Sequence, residues 1–232
     1  MKLFKYKKAL DTAEYEEIQV NRSRLKFKYC RVSILDMLQK MNVVKNNGFD
    51  NGPILCIGVR NGREVNLVKL IRNKFFSKIF YLLEFQRLGF SSLFPFLEHF
   101  LVKDDVTNLI PGGVYGVELN PDLARKDVFR GNFDFMPQHF SDMFSVVFSN
   151  SFDHSINPEK TAAEWIRVIK DGGYLIFDWV ENDTPTYEDP AGEISKSYIE
   201  DLFQGTVIYY SRKGNFDPSG RSSCLIIKIK KC

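Results

Sequence analysis

Apolar residues along the chain fall into short runs and spaced positions, and the two patterns alternate. Strand-like runs lie at 53–58, 113–118, 144–149 and 173–179, where apolar residues follow one another without the alternation of a half-exposed strand. Such runs suit strands covered on both faces. Residues 1–48 are charged and helical in character. Leu35, Leu38 and Met41 keep helical spacing there, ahead of the Asn46-Asn47-Gly48 breaker. Further helices are predicted to start near Gly62, within 120–127 and near Pro158. The alternation predicts βαβ units and a parallel sheet.

The end of the chain breaks this rhythm. Residues 206–211 and 223–229 are both β-rich, and the turn-forming loop between them leaves no room for a helix. They should pair as an antiparallel hairpin. The middle is also unusual, because residues 73–108 carry many aromatics, Phe75, Phe76, Phe80, Tyr81 and Phe85 among them, interrupted by Lys74, Lys78, Glu84 and Arg87. This stretch reads as an inserted helical hairpin. Its aromatics suit packing on the domain or on a second copy in a homodimer. Aromatic and basic faces together also suit a membrane surface. The organisation expected is an N-terminal helical segment at 1–48 followed by one domain at 49–232 that carries the insertion.

Composition narrows the class. A chain of 232 residues, 44% hydrophobic and 26% charged, has the profile of a globular protein with a full core. Its net charge of +3 gives no reason to expect nucleic acid. The four cysteines are widely spaced, with no CxxC pair, which argues against a zinc site or a disulfide framework and for a reducing cytosol. The basic N-terminus has no apolar core of a signal peptide, and no apolar run is long enough to span a bilayer.

The strongest chemical signal lies at the strand ends. Ile54-Leu55-Cys56-Ile57-Gly58-Val59-Arg60-Asn61-Gly62 is an apolar run that opens into a glycine-bearing turn and then a helix. Val114-Tyr115-Gly116-Val117-Glu118 is a second run ending on a carboxylate. A strand, an open turn, a helix N-terminus and an acid at the tip of the next strand make a nucleoside-binding site. Glu118 follows Gly62 at far more than the roughly 20 residues of a compact unit, and the aromatic insertion accounts for the surplus.

With these two runs, the turn Phe129-Arg130-Gly131-Asn132-Phe133-Asp134 and the long stretch from Phe144 to Phe177, the sequence resembles the class I S-adenosylmethionine-dependent methyltransferases. The fourth stretch is the most specific. It carries a strand, a loop with Asn150, Asp153 and His154, a helix ending Arg167-Val168-Ile169-Lys170, the turn Asp171-Gly172-Gly173 and another strand. The resemblance covers roughly 50–230. It implies an α/β fold, Rossmann-like, with a seven-stranded mostly parallel sheet, a C-terminal antiparallel hairpin and helices on both faces. It implies S-adenosylmethionine as cofactor, bound by Gly58, Arg60, Gly62, Glu118, Asn132, Phe133 and Asn150. Cys56 stands where the family has an acid, Arg60 where it has a middle glycine, and Asn132 where it has the acid beside adenine. Asp171-Gly172-Gly173 is expected to end a helix on a left-handed glycine.

Methyl transfer from a sulfonium needs an aligned nucleophile and, for a hydroxyl, a base. Of the three histidines, His154 beside Asp153 is the candidate base, because imidazole changes charge near neutral pH. His99 falls in the insertion and His139 in a loop near the adenine side. Asp178, His154 and Asp189 form an alternative metal set, though their spacing is irregular and no metal is expected. Acceptor specificity is assigned to the polar loop at 181–192 and to residues 1–45. The function read from the sequence is methyl transfer to a small-molecule, saccharide or lipid-linked acceptor. The competing reading is a non-catalytic binding or assembly protein on the same scaffold. A nicotinamide-dependent dehydrogenase fits poorly, for want of a full GxGxxG.

Overall fold

The computed structural model describes residues 1–3, 12–25, 34–72, 104–123, 125–181, 183–212 and 222–231. Most of the expected insertion, including His99, lies outside them. Two helices come first, α1 (Thr12–Leu25) and α2 (Ile34–Asn46), after a two-residue strand β1 (Lys2–Leu3). The parallel strands are β2 (Ile54–Ile57), β3 (Val114–Glu118), β4 (Val128–Arg130), β5 (Phe144–Ser149) and β6 (Ile169–Val180). Helix α3 (Arg63–Arg72) follows β2, and α4 (Pro158–Val168) joins β5 to β6. A short strand β7 (Ala191–Gly192), helix α5 (Lys196–Phe203) and the strands β8 (Thr206–Ser211) and β9 (Ser222–Lys228) complete the chain.

The main sheet has seven strands in the order β4-β3-β2-β5-β6-β9-β8. The first five are parallel, and β9 runs antiparallel to both β6 and β8. The Rossmann-like, mostly parallel sheet with its terminal hairpin is therefore present as expected. Strands β2 and β5 are buried at every residue, which explains their unbroken apolar sequence. One face is covered by α2 and α3 through Met37, Met41, Val65 and Val68, and the other by α4 and α5 through Ala162, Trp165, Ile199 and Phe203. Helix α4 starts on Asn157, whose side chain accepts the Lys160 N–H at 3.1 Å, with Pro158 at the first helical position. Thr161, Ala162, Trp165 and Val168 give it a single buried stripe.

Three local expectations change. No helix forms in 120–127 among the described residues. Glu118 accepts the Asn120 N–H, and the Asn120 side chain accepts the Asp122 N–H at 2.9 Å, so local side chains take the donors and the segment turns. The Asp171-Gly172-Gly173 turn does not cap α4. That helix ends at Val168, Ile169 is already extended, and the strand starts there rather than at 173. Gly172, at φ +71, sits in a bulge where the register against β5 shifts, and its N–H donates to Ile229 O. Elements the pattern did not predict are β4, α5 and the β1–β7 ribbon. No helix among the described residues is long and apolar enough to cross a membrane.

Candidate nucleoside cleft and its closing helix

Strand β2 has β3 and β4 on one side and β5 and β6 on the other, so the chain reverses direction of travel across the sheet at β2. Crevices at such points, beyond the carboxyl ends of parallel strands, are where this architecture binds ligands. A cleft open to solvent lies there. Its floor includes Gly58 and Arg60 after β2, Glu118 at the end of β3 and Ser151 and His154 after β5. The turn Gly131–Asp134 forms one wall.

Glu118 is held from two sides. Its Oε2 accepts the Arg60 N–H at 2.6 Å, and its Oε1 accepts the Asn120 N–H at 3.0 Å. Arg60 presents that N–H from a left-handed backbone, φ +44, which costs an ordinary side chain of order 1 kcal/mol or more. The carboxylate is thus fixed at the cleft edge. Gly58 has φ +74, and a Cβ on it would lie 2.2 Å from Ser151 Oγ. The glycine is required by the neighbouring turn as much as by any ligand. Gly62, at φ +75, does not line the cleft. Its carbonyl accepts from Arg125 Nη1 at 3.3 Å and from the Asn66 N–H, so it sets the start of α3.

Asn132 and Phe133 both line the cleft. The Asn132 amide is engaged at both ends: Oδ1 accepts the Asp134 N–H at 2.8 Å, and Nδ2 donates to Glu16 Oε1 at 2.9 Å. Phe133 meets Trp165 edge-on at 5.8 Å between centroids. Asp134, which the sequence pattern passed over in favour of Asn132, also lines the cleft. Burial raises its carboxyl above the usual range against the pull of Thr161, which donates to it.

A polar extension of about 400 Å³ continues from this floor past Arg60 and Gly58 and is lined by Glu64, Asn150 and Asp153. Cys56 faces the α2 and α3 side of the sheet, buried in the core, away from these polar groups. Glu64 comes from the first turn of α3, and its signal in the sequence was only its place at a helix N-terminus.

Helix α1 lies across the opening, and Tyr15, Glu16, Gln19 and Arg22 line the cleft from above. The Tyr15 hydroxyl donates to the His154 carbonyl. Gln19 Nε2 donates to Glu188 O at 2.5 Å. Arg22 grips Asp189 with both terminal nitrogens, the Nη2–Oδ2 bond being 2.7 Å. The two regions to which the sequence assigned acceptor specificity, residues 1–45 and 181–192, therefore meet directly over His154.

His154 occupies a charged corner. Its Nε2 lies 3.2 Å from Asp189 Oδ1, 3.6 Å from Asp153 Oδ1 and 3.4 Å from Arg22 Nη1. Burial alone would raise the Asp189 carboxyl, but the hydrogen bonds of His154 and Arg22 outweigh it and hold the group well below the usual carboxylate range. Burial likewise opposes the Arg22 charge, and Asp189 more than restores it, so the guanidinium sits above its ordinary value. Asp153, His154 and Asp189 offer three potential ligand atoms within 4.8 Å of one another, but Arg22 already supplies positive charge to Asp189. Asp178 is not part of this corner. It is buried against Lys40, whose ammonium also binds Asp36, so the set Asp178–His154–Asp189 is not brought together. His139 lies in a short 3₁₀ turn, its Nε2 3.2 Å from Val106 O, and does not line the cleft.

No protein-family model and no curated protein sequence matches the chain. Solved structures do. An S-adenosylmethionine-dependent methyltransferase from Clostridium acetobutylicum matches with TM-score 0.56 at 8% identity, over 91% of this chain and 98% of the other. The 1,6-didemethyltoxoflavin-N1-methyltransferase of Burkholderia thailandensis, solved with bound 1,6-didemethyltoxoflavin and S-adenosylhomocysteine, matches with TM-score 0.54 at 10% identity, over 99% of this chain and 94% of the other. The [4+2]-cyclase SpnF matches with TM-score 0.51 at 10% identity, over 84% and 81%. The sheet order, the terminal hairpin and these likenesses together give the chain the fold of the class I S-adenosylmethionine-dependent methyltransferases.

Proposed function

We propose that the cleft binds S-adenosylmethionine and that the chain transfers its methyl group to a small-molecule, saccharide or lipid-linked acceptor. The observation that carries this reading is Glu118, fixed by two backbone N–H groups at the end of β3 where it lines the cleft. A carboxylate in that place suits the two hydroxyls of a ribose. Leu119 and Phe133 supply apolar walls for an adenine. Asp134 is better placed than Asn132 to accept from its amino group, since the Asn132 amide is spent on Asp134 and Glu16. The polar extension suits a zwitterionic amino-acid tail, with Arg60 for the carboxylate and Glu64 and Asp153 for the ammonium. On this reading the acid missing at Cys56 is supplied from α3 instead.

His154 borders both the cleft and the extension, where it can take a proton from an acceptor. The cofactor supplies the sulfonium methyl; the chain positions the acceptor and excludes water beneath α1. A fold shared with a cyclase leaves turnover to experiment. The test is incubation with a methyl-labelled donor and a panel of hydroxyl, amine and thiol acceptors, read by mass spectrometry. Labelled product with release of S-adenosylhomocysteine is expected. Tight cofactor binding with no product from any acceptor class favours the binding-protein reading instead.

A further inference from the structure

Three residues of the turn from β2 into α3 have positive φ: Gly58 at +74, Arg60 at +44 and Gly62 at +75. For Arg60 that conformation is strained, and it persists only where the surroundings over-determine it. One end of the turn is fixed from the sheet. The Gly58 N–H donates to Val117 O at 2.9 Å and the Arg60 N–H to Glu118. The other end is fixed by Arg125, from the loop between β3 and β4. Its Nη1 donates to Gly62 O at 3.3 Å and its Nη2 to Asn66 Oδ1 at 2.6 Å, so one guanidinium spans the first turn of α3. The fit is close, since a Cβ on Gly62 would lie 2.5 Å from Arg125 Nη1.

Arg125 is itself held. Its Nε and Nη2 donate to the two oxygens of Asp127 at 2.9 and 2.8 Å, a two-point grip that a planar guanidinium supplies. Asp127 is buried and also accepts from Lys69 at 2.7 Å. Lys69 in turn lies 3.1 Å from Asp104, which accepts the Val114 N–H at 2.9 Å. Cations and carboxylates thus alternate from the first residue of β3 to the start of α3. Burial alone would raise the Asp127 carboxyl, but Arg125 and Lys69 outweigh it and hold the group below the usual range. Arg125 lines neither the cleft nor its polar extension.

We propose that Arg125, braced by Asp127, is a positioning residue that holds the Gly58–Gly62 turn in the shape that receives the amino-acid tail of the cofactor. The ligand in that statement rests on the methyl-transfer reading; the support of the turn does not. Arg60 and Glu64 are the groups offered to the carboxylate and the ammonium of the tail. Gly62 stands between them in the chain, so a shift of its carbonyl displaces both. The adenosine end meets other elements, Glu118 of β3 and the wall at 131–134. Loss of Arg125 therefore acts on one end of the ligand.

The test separates that end from the rest. S-adenosylhomocysteine and 5′-methylthioadenosine share the adenosine and the thioether, and only the first carries the tail. Arg125→Met removes the guanidinium. Arg125→Lys keeps a charge beside Asp127 but cannot reach both Asp127 oxygens, Gly62 O and Asn66 at once. By calorimetry, Arg125→Met should weaken S-adenosylhomocysteine about tenfold and leave 5′-methylthioadenosine within about twofold of the wild type, with Arg125→Lys between. Hydrogen exchange on the ligand-free chain is the second arm. Amides of residues 59–66 should exchange faster in both variants while those of β5 keep their protection. Equal losses for the two ligands, no loss for either, or unchanged exchange at 59–66 in variants that melt cooperatively would overturn the proposal. If Arg125→Met does not fold, Arg125→Lys decides. A wild-type chain that binds neither ligand sinks methyl transfer and the tail with it, and exchange then decides the support of the turn alone. Wild-type binding with indifferent Arg125 variants sinks only the positioning.

Discussion

A carboxylate that accepts two backbone N–H groups has lost the freedom to swing away, and Glu118 is such a group. Replacing it by alanine removes an acceptor from the cleft and releases the Arg60 N–H. Glu118→Ala should therefore weaken S-adenosylhomocysteine binding by about 1–3 kcal/mol, measured by calorimetry. Arg60 makes a complementary case, because its left-handed backbone favours glycine while its side chain lines the cleft. Arg60→Gly should leave folding stability unchanged or raise it by about 0.5–1 kcal/mol in urea melts while weakening cofactor binding. Asp189 sets the acid behaviour of the corner. Its folded-state carboxyl is depressed, so the stability it contributes is present above the ordinary carboxylate value near ~4 and is lost as pH falls through its lower native value. Urea melts below about pH 4 should fall less steeply for Asp189→Asn than for the wild type. Glu118 and His154 were legible from the sequence because strand ends carry polar residues after apolar runs. Asp189 was placed with His154 only as part of a metal set; its ion pair with Arg22 was not legible, because a contact between segments far apart in sequence leaves no local pattern. Asp178 was grouped with His154 on residue type alone, and its side chain instead faces α2 and Lys40.

At the scale of elements, burial on both faces made β2, β3 and β5 readable as apolar runs. Strand β4 was missed because only three residues pair there, between a polar turn and the sheet edge. Helix α5 has only two fully buried residues, Ile199 and Phe203, one turn apart, which is too short a repeat to stand out. The expected stop of α4 at a glycine failed because the chain passes straight from helix to extended backbone at Ile169 and spends its glycine on a bulge. Trp165 is the centre of the α4 contact, fully buried against Phe152, Phe177 and Phe203. Trp165→Ala should cost about 3–5 kcal/mol in urea melts. Helices α4 and α5 are also tied by the Tyr198 hydroxyl, which donates to Glu159 at 3.3 Å. Partial burial, reinforced by Glu159, pushes that phenol up to about 12. A group raised on folding contributes stability that is complete below its unfolded value near ~10 and is lost as pH rises through its native value. Between those limits, stability in urea should decline less steeply for Tyr198→Phe than for the wild type.

Across the whole molecule, the parallel sheet supplies a cleft at its switch point and the N-terminal helix closes it. The sheet was legible; the closure was not. Helix α1 is mostly polar, and it is held over the cleft by Glu16 to Asn132, Arg22 to Asp189 and Arg24 to Asp122 rather than by an apolar stripe. Polar contacts of that kind carry no periodicity that a sequence pattern can reveal. The exposed Arg24–Asp122 pair is also the least costly of them to break. The division expected at residue 48 places α1 and α2 together, yet α2 is built into the sheet face through Met37, Met41 and Val44, whereas α1 contributes cleft lining. The departures at Cys56, Arg60 and Asn132 fit a site in which acids from α3 and from Asp134 take over. The most direct measurement of this account is a calorimetric titration of S-adenosylhomocysteine into the wild-type chain and Glu118→Ala. The account predicts one site per chain in the wild type and at least about tenfold weaker binding in the variant. No binding to the wild type, or equal affinity in both, would contradict it.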